Sequence, residues 1–142
     1  MNDTALLLIG HGTDDAAGIA EYHQLAALVQ ERFGLFVQPC FLELADPPIG
    51  QAIDACAQAG YRQLVVLPLL LGAAGHQKND IPVALRQART RWPDLTIRYG
   101  APLGVQYPLL KALADRLAAA EAAAPPVPRS ETALALDRAR QQ

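Results

Sequence analysis

The sequence predicts an α/β fold, a single three-layer lobe with a four-stranded parallel sheet between helices. Three observations carry this expectation. Four short aliphatic runs recur along 142 residues. Each is followed by a stretch with helical spacing, and glycine or proline punctuates nearly every boundary. Strands that alternate with helices in this way form parallel sheets covered on both faces.

The elements follow in chain order. "TALLLIG" (4–10) is an unbroken apolar run ended by glycine, as a strand covered on both faces requires. From Ala16 to Phe33, the positions Ile19, Tyr22, Leu25, Ala26, Val29 and Phe33 keep helical spacing, and Gly34 stops the helix. "LFVQPCFLEL" (35–44) is the second strand, placed at a sheet edge because Pro39 lacks a ladder donor. Asp46 is expected to cap a helix that opens with Pro47 and Pro48 and closes at Gly60.

"QLVVLPLLL" (63–71) is the most hydrophobic strand and therefore the most central. Asn79 or Asp80 is expected to cap the third helix, with Pro82 in its first turn and an end near Arg91. "DLTIRYG" (94–100) and the segment 106–122 supply the last strand and helix. Right-handed crossovers and a central third strand give the spatial order 2-1-3-4. Residues 1–122 form the lobe. Residues 123–142, opening on "AAAPPVPRS" (122–130), read as a proline-rich linker and a mobile tail. "ETALAL" (131–136) repeats "DTALLL" (3–8) at four of six positions, but "DRARQQ" carries nothing like the "IGHGTD" that should follow.

Composition narrows the function classes. Hydrophobic residues make up 51% of the chain and charged ones 18%, a globular and not a disordered balance. A net charge of -2 gives no electrostatic footprint for nucleic acid. No segment approaches the ~18 uninterrupted apolar residues of a membrane span. "MNDTALLLIGHG" has no basic flank, so no secretory leader is expected. Cys40 and Cys56 lack metal-ligand or redox spacing and read as buried free thiols of a cytoplasmic protein.

The chemistry gathers at strand ends. His11 follows the first strand in "LLLIGHGTDD", and His76 follows the third in "LLLGAAGHQKND". In open α/β sheets, ligands bind beyond the carboxyl ends of the strands, where adjacent connections diverge. With the order 2-1-3-4, that point lies between strands one and three. Two histidines 65 positions apart then share one crevice, and Glu43 ends strand two on the same rim.

Taken alone, either histidine reads as a loop residue bonding nearby backbone. The matched pair, with a carboxylate in an otherwise apolar strand end, favours a site. Imidazole and carboxylate suit a divalent first-row metal and can also accept protons near neutral pH. His23, inside the first helix, has no such company. Gly10, Gly12, Gly72 and Gly75 offer anion-binding turns, but neither GxGxxG nor a lysine-bearing phosphate loop is present. Arg86, Arg89 and Arg91 form a solvated helix face unless the ligand is polyanionic.

"LLLIGHGT", "FLELADPPI", "PLLLGAAGHQKNDIP" and "RYGAPLGV" occur in this order. Over residues 4–118 the chain resembles the short class II tetrapyrrole chelatases of the sirohydrochlorin type. These are the cobaltochelatases and ferrochelatases of cobalamin and sirohaem synthesis. The resemblance implies ATP-independent insertion of Co²⁺ or Fe²⁺ into sirohydrochlorin. It implies metal-handling roles for His11 and His76, with Glu43 as their acidic partner. Threonine follows "GHG" where the family more often has serine, which keeps the hydroxyl.

A single lobe implies a homodimer that completes the cleft. No tightly bound cofactor is implied, and the metal is a substrate. The chosen ligand types accept Co²⁺, Fe²⁺ and Ni²⁺ alike. For the tetrapyrrole carboxylates, Lys78, Arg86 and Arg89 are the expected anion contacts. The Gly72, Ala73, Ala74 and Gly75 loop is expected to let a flat macrocycle approach the backbone. The competing classes are a metal-binding carrier without insertion activity and a flavodoxin-like nucleotide enzyme.

Overall fold

The computed structural model describes residues 2–72 and 77–123. Its elements run β1 (Thr4–Gly10), α1 (Ala16–Phe33), β2 (Phe36–Phe41), α2 (Ile49–Gln58), β3 (Gln63–Pro68), α3 (Gln77–Arg91), β4 (Thr96–Tyr99) and α4 (Tyr107–Ala123). All strand pairs are parallel, and the sheet order is β2-β1-β3-β4. The expected order holds. Residues up to Val105 form one compact unit, and α4, a helix of 17 residues, belongs to a second. The expected linker and tail from 124 onward lie outside the described residues.

The alternation of β1 side chains sorts the core into two layers. Ala5, Leu7 and Ile9 are fully buried against Ile49, Ala52, Ile53 and Cys56 of α2 and Ile81, Leu85 and Ala88 of α3. Leu6 and Leu8 point the other way and pack with Val37, Tyr22, Ala26 and Val29. Thus α1 covers one face, and α2 with α3 covers the other. Burying a leucine or isoleucine of this kind stabilises by roughly 1.5–3 kcal/mol, so β1 anchors both layers. Leu25 and Phe33 share the helical spacing of α1 but are exposed. Cys40 and Cys56 are buried free thiols on β2 and α2.

Five elements depart at a boundary from the sequence expectation. Asp46 does not cap α2. The extended backbone at Pro48 is the cap residue, and it makes no side-chain capping bond. The Phe41 N–H donates to the Pro47 carbonyl at 3.0 Å and Phe41 bridges Pro48, which holds both prolines against the end of β2 and delays the helix to Ile49. Strand β2 ends at Phe41, and its bonds to the β1 segment run only to Glu43, because Leu44 turns to a left-handed φ of 63°.

Strand β3 ends at Pro68, short of the aliphatic run 69–71, with one further bond from the Leu69 N–H to the Ile9 carbonyl. Helix α3 begins at Gln77, so Asn79 and Asp80 lie within it instead of capping it. Pro82 is then deeper than the first turn and leaves the Lys78 carbonyl without its intrahelical donor. Strand β4 is shorter than 94–100, since a turn from the Leu95 N–H to the Trp92 carbonyl holds its start apart.

Candidate functional site

The site is built at the carboxyl ends of β1 and β2. Beyond Gly10 the two chains stay bonded, with the Leu42 N–H donating to the Gly10 carbonyl at 2.9 Å and the Glu43 N–H to the His11 carbonyl at 3.1 Å. These bonds carry His11 and Glu43 out of the sheet side by side. His11 Nε2 lies 3.3 Å from Glu43 Oε1, and both side chains are more than half exposed, at 54% and 60%. The carboxylate is therefore not the buried charge that its place in the sequence implied. Solvation removes the burial penalty and leaves the group available to a ligand.

The two glycines around His11 have separate steric reasons. A Cβ at Gly10 would come within 2.8 Å of the Tyr22 ring. Tyr22 itself is pinned by its hydroxyl, which donates to the Leu8 carbonyl at 2.8 Å, and it packs on Phe41 with ring centroids 4.9 Å apart. A Cβ at Gly12 would overlap the Glu43 carbonyl oxygen, and Gly12 has a φ of 99°. Only glycine satisfies both conditions there. The loop then enters α1 through two local bonds. Thr13 Oγ1 accepts from the Asp15 N–H at 3.1 Å, and the Asp15 carboxylate accepts from the N–H groups of Ala17 and Gly18 at 3.4 and 3.1 Å. The threonine hydroxyl thus helps to fix the turn before the helix.

The imidazole has a defined sense. His11 Nδ1 lies 3.2 Å from the Gly12 carbonyl, which can only accept, so Nδ1 carries the proton. In the neutral ring Nε2 is then a lone pair facing a carboxylate oxygen. A protonated ring would donate from Nε2 to the carboxylate, whereas the neutral ring leaves two acceptors 3.3 Å apart that a proton or a metal cation can share. Among the described residues no group of three metal-ligating side chains gathers.

The remaining expected residues divide. His76 and the loop residues Ala73, Ala74 and Gly75 lie outside the described residues, while Gly72 ends the described part of the β3 loop. Lys78 falls in the first turn of α3, which leaves the same rim. Arg86 is exposed on α3. Arg89 does not join His11. Its Nη2 donates to the Ile97 carbonyl at 3.3 Å, and Ile97 is level with Ala5 across the sheet, five residues before Gly10. At about 3.3 Å per residue this is roughly 16 Å below the rim. Arg91 is held by Asp54 at 3.0 Å, in company with the Trp92 indole N–H at 2.7 Å. His23 is exposed and sits edge-on to Phe41, without a ligand-type partner among the described residues. Sequence reasoning missed Gly12, Tyr22 and Leu44 as shapers of the site. The doubled glycine around a histidine was the signal for the first two.

The CbiX family model matches residues 5–120. A sirohydrochlorin cobaltochelatase of Priestia megaterium is 34% identical over 113 residues, which are 80% of this chain and 37% of that protein. The chain thus spans well under half the length of that relative. A sirohydrochlorin cobaltochelatase of Sulfurisphaera tokodaii is 30% identical over 112 residues, 79% of this chain and 89% of that protein. Among solved structures, the sirohydrochlorin chelatase SirB from Bacillus subtilis subspecies spizizenii in complex with cobalt superposes with a TM-score of 0.76 at 32% identity, over 80% of this chain and 49% of that one. With the family match running across the lobe and a relative of similar length among its neighbours, the chain belongs to the CbiX family.

Proposed function

We propose that this chain inserts Co²⁺ or Fe²⁺ into sirohydrochlorin. The observation that carries the reading is the solvated His11–Glu43 pair, 3.3 Å apart at the carboxyl rim of a CbiX lobe. Relatives named for cobalt and for iron insertion both lie near it in sequence. The reaction joins one divalent ion to a macrocycle that releases two pyrrole N–H protons. A catalyst must hold the ion weakly enough to let it go and must receive protons as it leaves.

His11 and Glu43 supply both functions in this proposal. Nε2 and Oε1 share the incoming ion through two bonds, too few to trap it. As the ion moves into the ring, the same two acceptors are left facing one another and take up a proton between them. His76, from the loop after β3, is the proposed third group, shared between metal delivery and proton removal. Lys78, in the first turn of α3, is the proposed contact for substrate carboxylates. The metal is a substrate, and no resident cofactor is invoked. No helix among the described residues is long and apolar enough to cross a membrane. The cytoplasm is the proposed compartment, where thiols such as Cys40 and Cys56 stay reduced.

The proposed working form is a homodimer, in which a second copy of the lobe completes the cleft for a flat macrocycle. Light scattering on the active protein checks this, and a fully active monomer refutes it. The decisive experiment is anaerobic insertion with sirohydrochlorin and Co²⁺, Fe²⁺ or Ni²⁺, followed by absorbance. Insertion above the uncatalysed rate supports the enzyme. Metal binding without faster insertion would make the protein a carrier.

A further inference from the structure

Leu44 combines three properties that no packing requirement explains. It is the only non-glycine residue with positive φ among the described residues, at 63°. It is the middle of a three-residue turn closed by the Ala45 N–H, which donates to the Glu43 carbonyl at 2.8 Å. Its side chain is 65% exposed. A turn of this hand is rare and strained, and glycine or asparagine would enter it at lower cost. A leucine held here against its backbone preference, with most of its surface in water, adds little to the core.

Its position supplies a reason. Leu44 directly follows Glu43, on the rim that carries His11. Two further exposed leucines stand on that rim. Leu71 follows β3 and is 66% exposed, and Leu103 follows β4 and is 43% exposed. The rim segments are tied to one another, for the Leu103 N–H donates to the Leu70 carbonyl at 3.0 Å, as the Glu43 N–H does to His11. Single exposed leucines are ordinary. Exposed leucines beyond three of the four strands, on the rim that carries the polar pair, suit a ligand with a broad apolar face and a polar centre.

We infer that Leu44 is a substrate-contacting residue whose side chain lies against the flat face of the macrocycle when the centre of that macrocycle meets His11 and Glu43. The inference rests on the chelatase reading above. The strained turn serves two ends. It keeps the Glu43 carbonyl against Gly12, and it turns the next side chain away from the core toward the ligand.

The test compares Leu44→Asn and Leu44→Met in the full chain. Asparagine suits the positive φ but lacks the apolar surface, whereas methionine keeps the surface and the backbone cost. The readouts are sirohydrochlorin affinity by fluorescence quenching, its KM, Co²⁺ affinity and the melting temperature. For Leu44→Asn we expect sirohydrochlorin binding weakened about tenfold, ~1.4 kcal/mol, with an unchanged or higher melting temperature. Co²⁺ affinity should stay within about twofold, and Leu44→Met should bind nearly as the parent. Parental sirohydrochlorin affinity in Leu44→Asn overturns the inference, as does an equal loss of Co²⁺ affinity, which would mean that Leu44 acts only through Glu43. A parent chain that binds sirohydrochlorin but inserts no metal sinks the chelatase reading while the binding comparison still decides Leu44. A parent that binds no tetrapyrrole overturns both.

Discussion

The carbonyl oxygen of Glu43 occupies the space that a Cβ on Gly12 would need. The histidine loop is thereby pressed onto the backbone of its acidic partner, and the imidazole and carboxylate meet at 3.3 Å as a consequence. Gly12→Ala should force the two loops apart. We expect a stability loss of more than ~1 kcal/mol, since alanine is also strained at this φ. Metal insertion should fall roughly a hundredfold, the scale of a misplaced catalytic group. Urea denaturation and the insertion assay on the same preparation check both, and parental activity in this variant would remove the steric argument.

The proposed roles of the polar groups separate by substitution. His11→Ala and His76→Ala should each lower insertion at least about a hundredfold, the usual contribution of a positioned acid–base or ligand group. Glu43→Gln should still bind tetrapyrrole and yet insert slowly, because it keeps shape and loses the proton acceptor. His11 and Glu43 are more than half exposed, so their variants should unfold within about 0.5 kcal/mol of the parent. Three variants that work at the parental rate would dismiss the assignment.

Burial pushes the Cys56 thiol up to about 11 from its ordinary value near 9, and it pushes Cys40 further in the same direction, with a contribution from neighbouring Cys56. The folded state therefore keeps protons that the unfolded state gives up. Stability contributed by the neutral thiols is complete below about pH 9 and declines as the pH rises toward 11. Denaturation midpoints at pH 8, 9.5 and 10.5 should fall in that order, and Cys40→Ala with Cys56→Ala should flatten the trend. At pH 8 the native protein should resist alkylation that labels both thiols after unfolding.

Residues 125–142 contain no histidine and no cysteine. Truncation before Pro125 should leave insertion activity within about twofold of the full chain, since the proposed chemistry uses neither metal ligands nor proton acceptors from that segment. A truncated protein that still binds sirohydrochlorin and Co²⁺ but fails to insert would give the tail a part in closing the site.

Much of this was legible before any coordinates. A short aliphatic run such as Leu6–Ile9, stopped by Gly10, fits a strand covered on both faces, and its alternation with helical segments favours a parallel sheet. Order 2-1-3-4 then places whatever follows the strands on one rim, which is why His11 and Glu43 were expected on the same side of the sheet; their direct pairing is seen only in the structure. Element ends were less legible, because they depend on contacts distant in the chain. Pro47 is drawn to the Phe41 N–H, and α2 starts late for that reason. Nothing in "LELAD" signals that Leu44 must adopt a left-handed φ; the neighbouring β1 loop and the Ala45 N–H impose it. The sense of the imidazole likewise needed the Gly12 carbonyl beside Nδ1, a geometry of fractions of an ångström. Arg89 had the right charge for a polyanion but the wrong height, bound near the start of β4. Residue type and spacing determine which groups reach a rim. Tertiary packing decides which carbonyl a helix charge reaches, as Arg89 does Ile97, and which way a side chain leaves a strained turn.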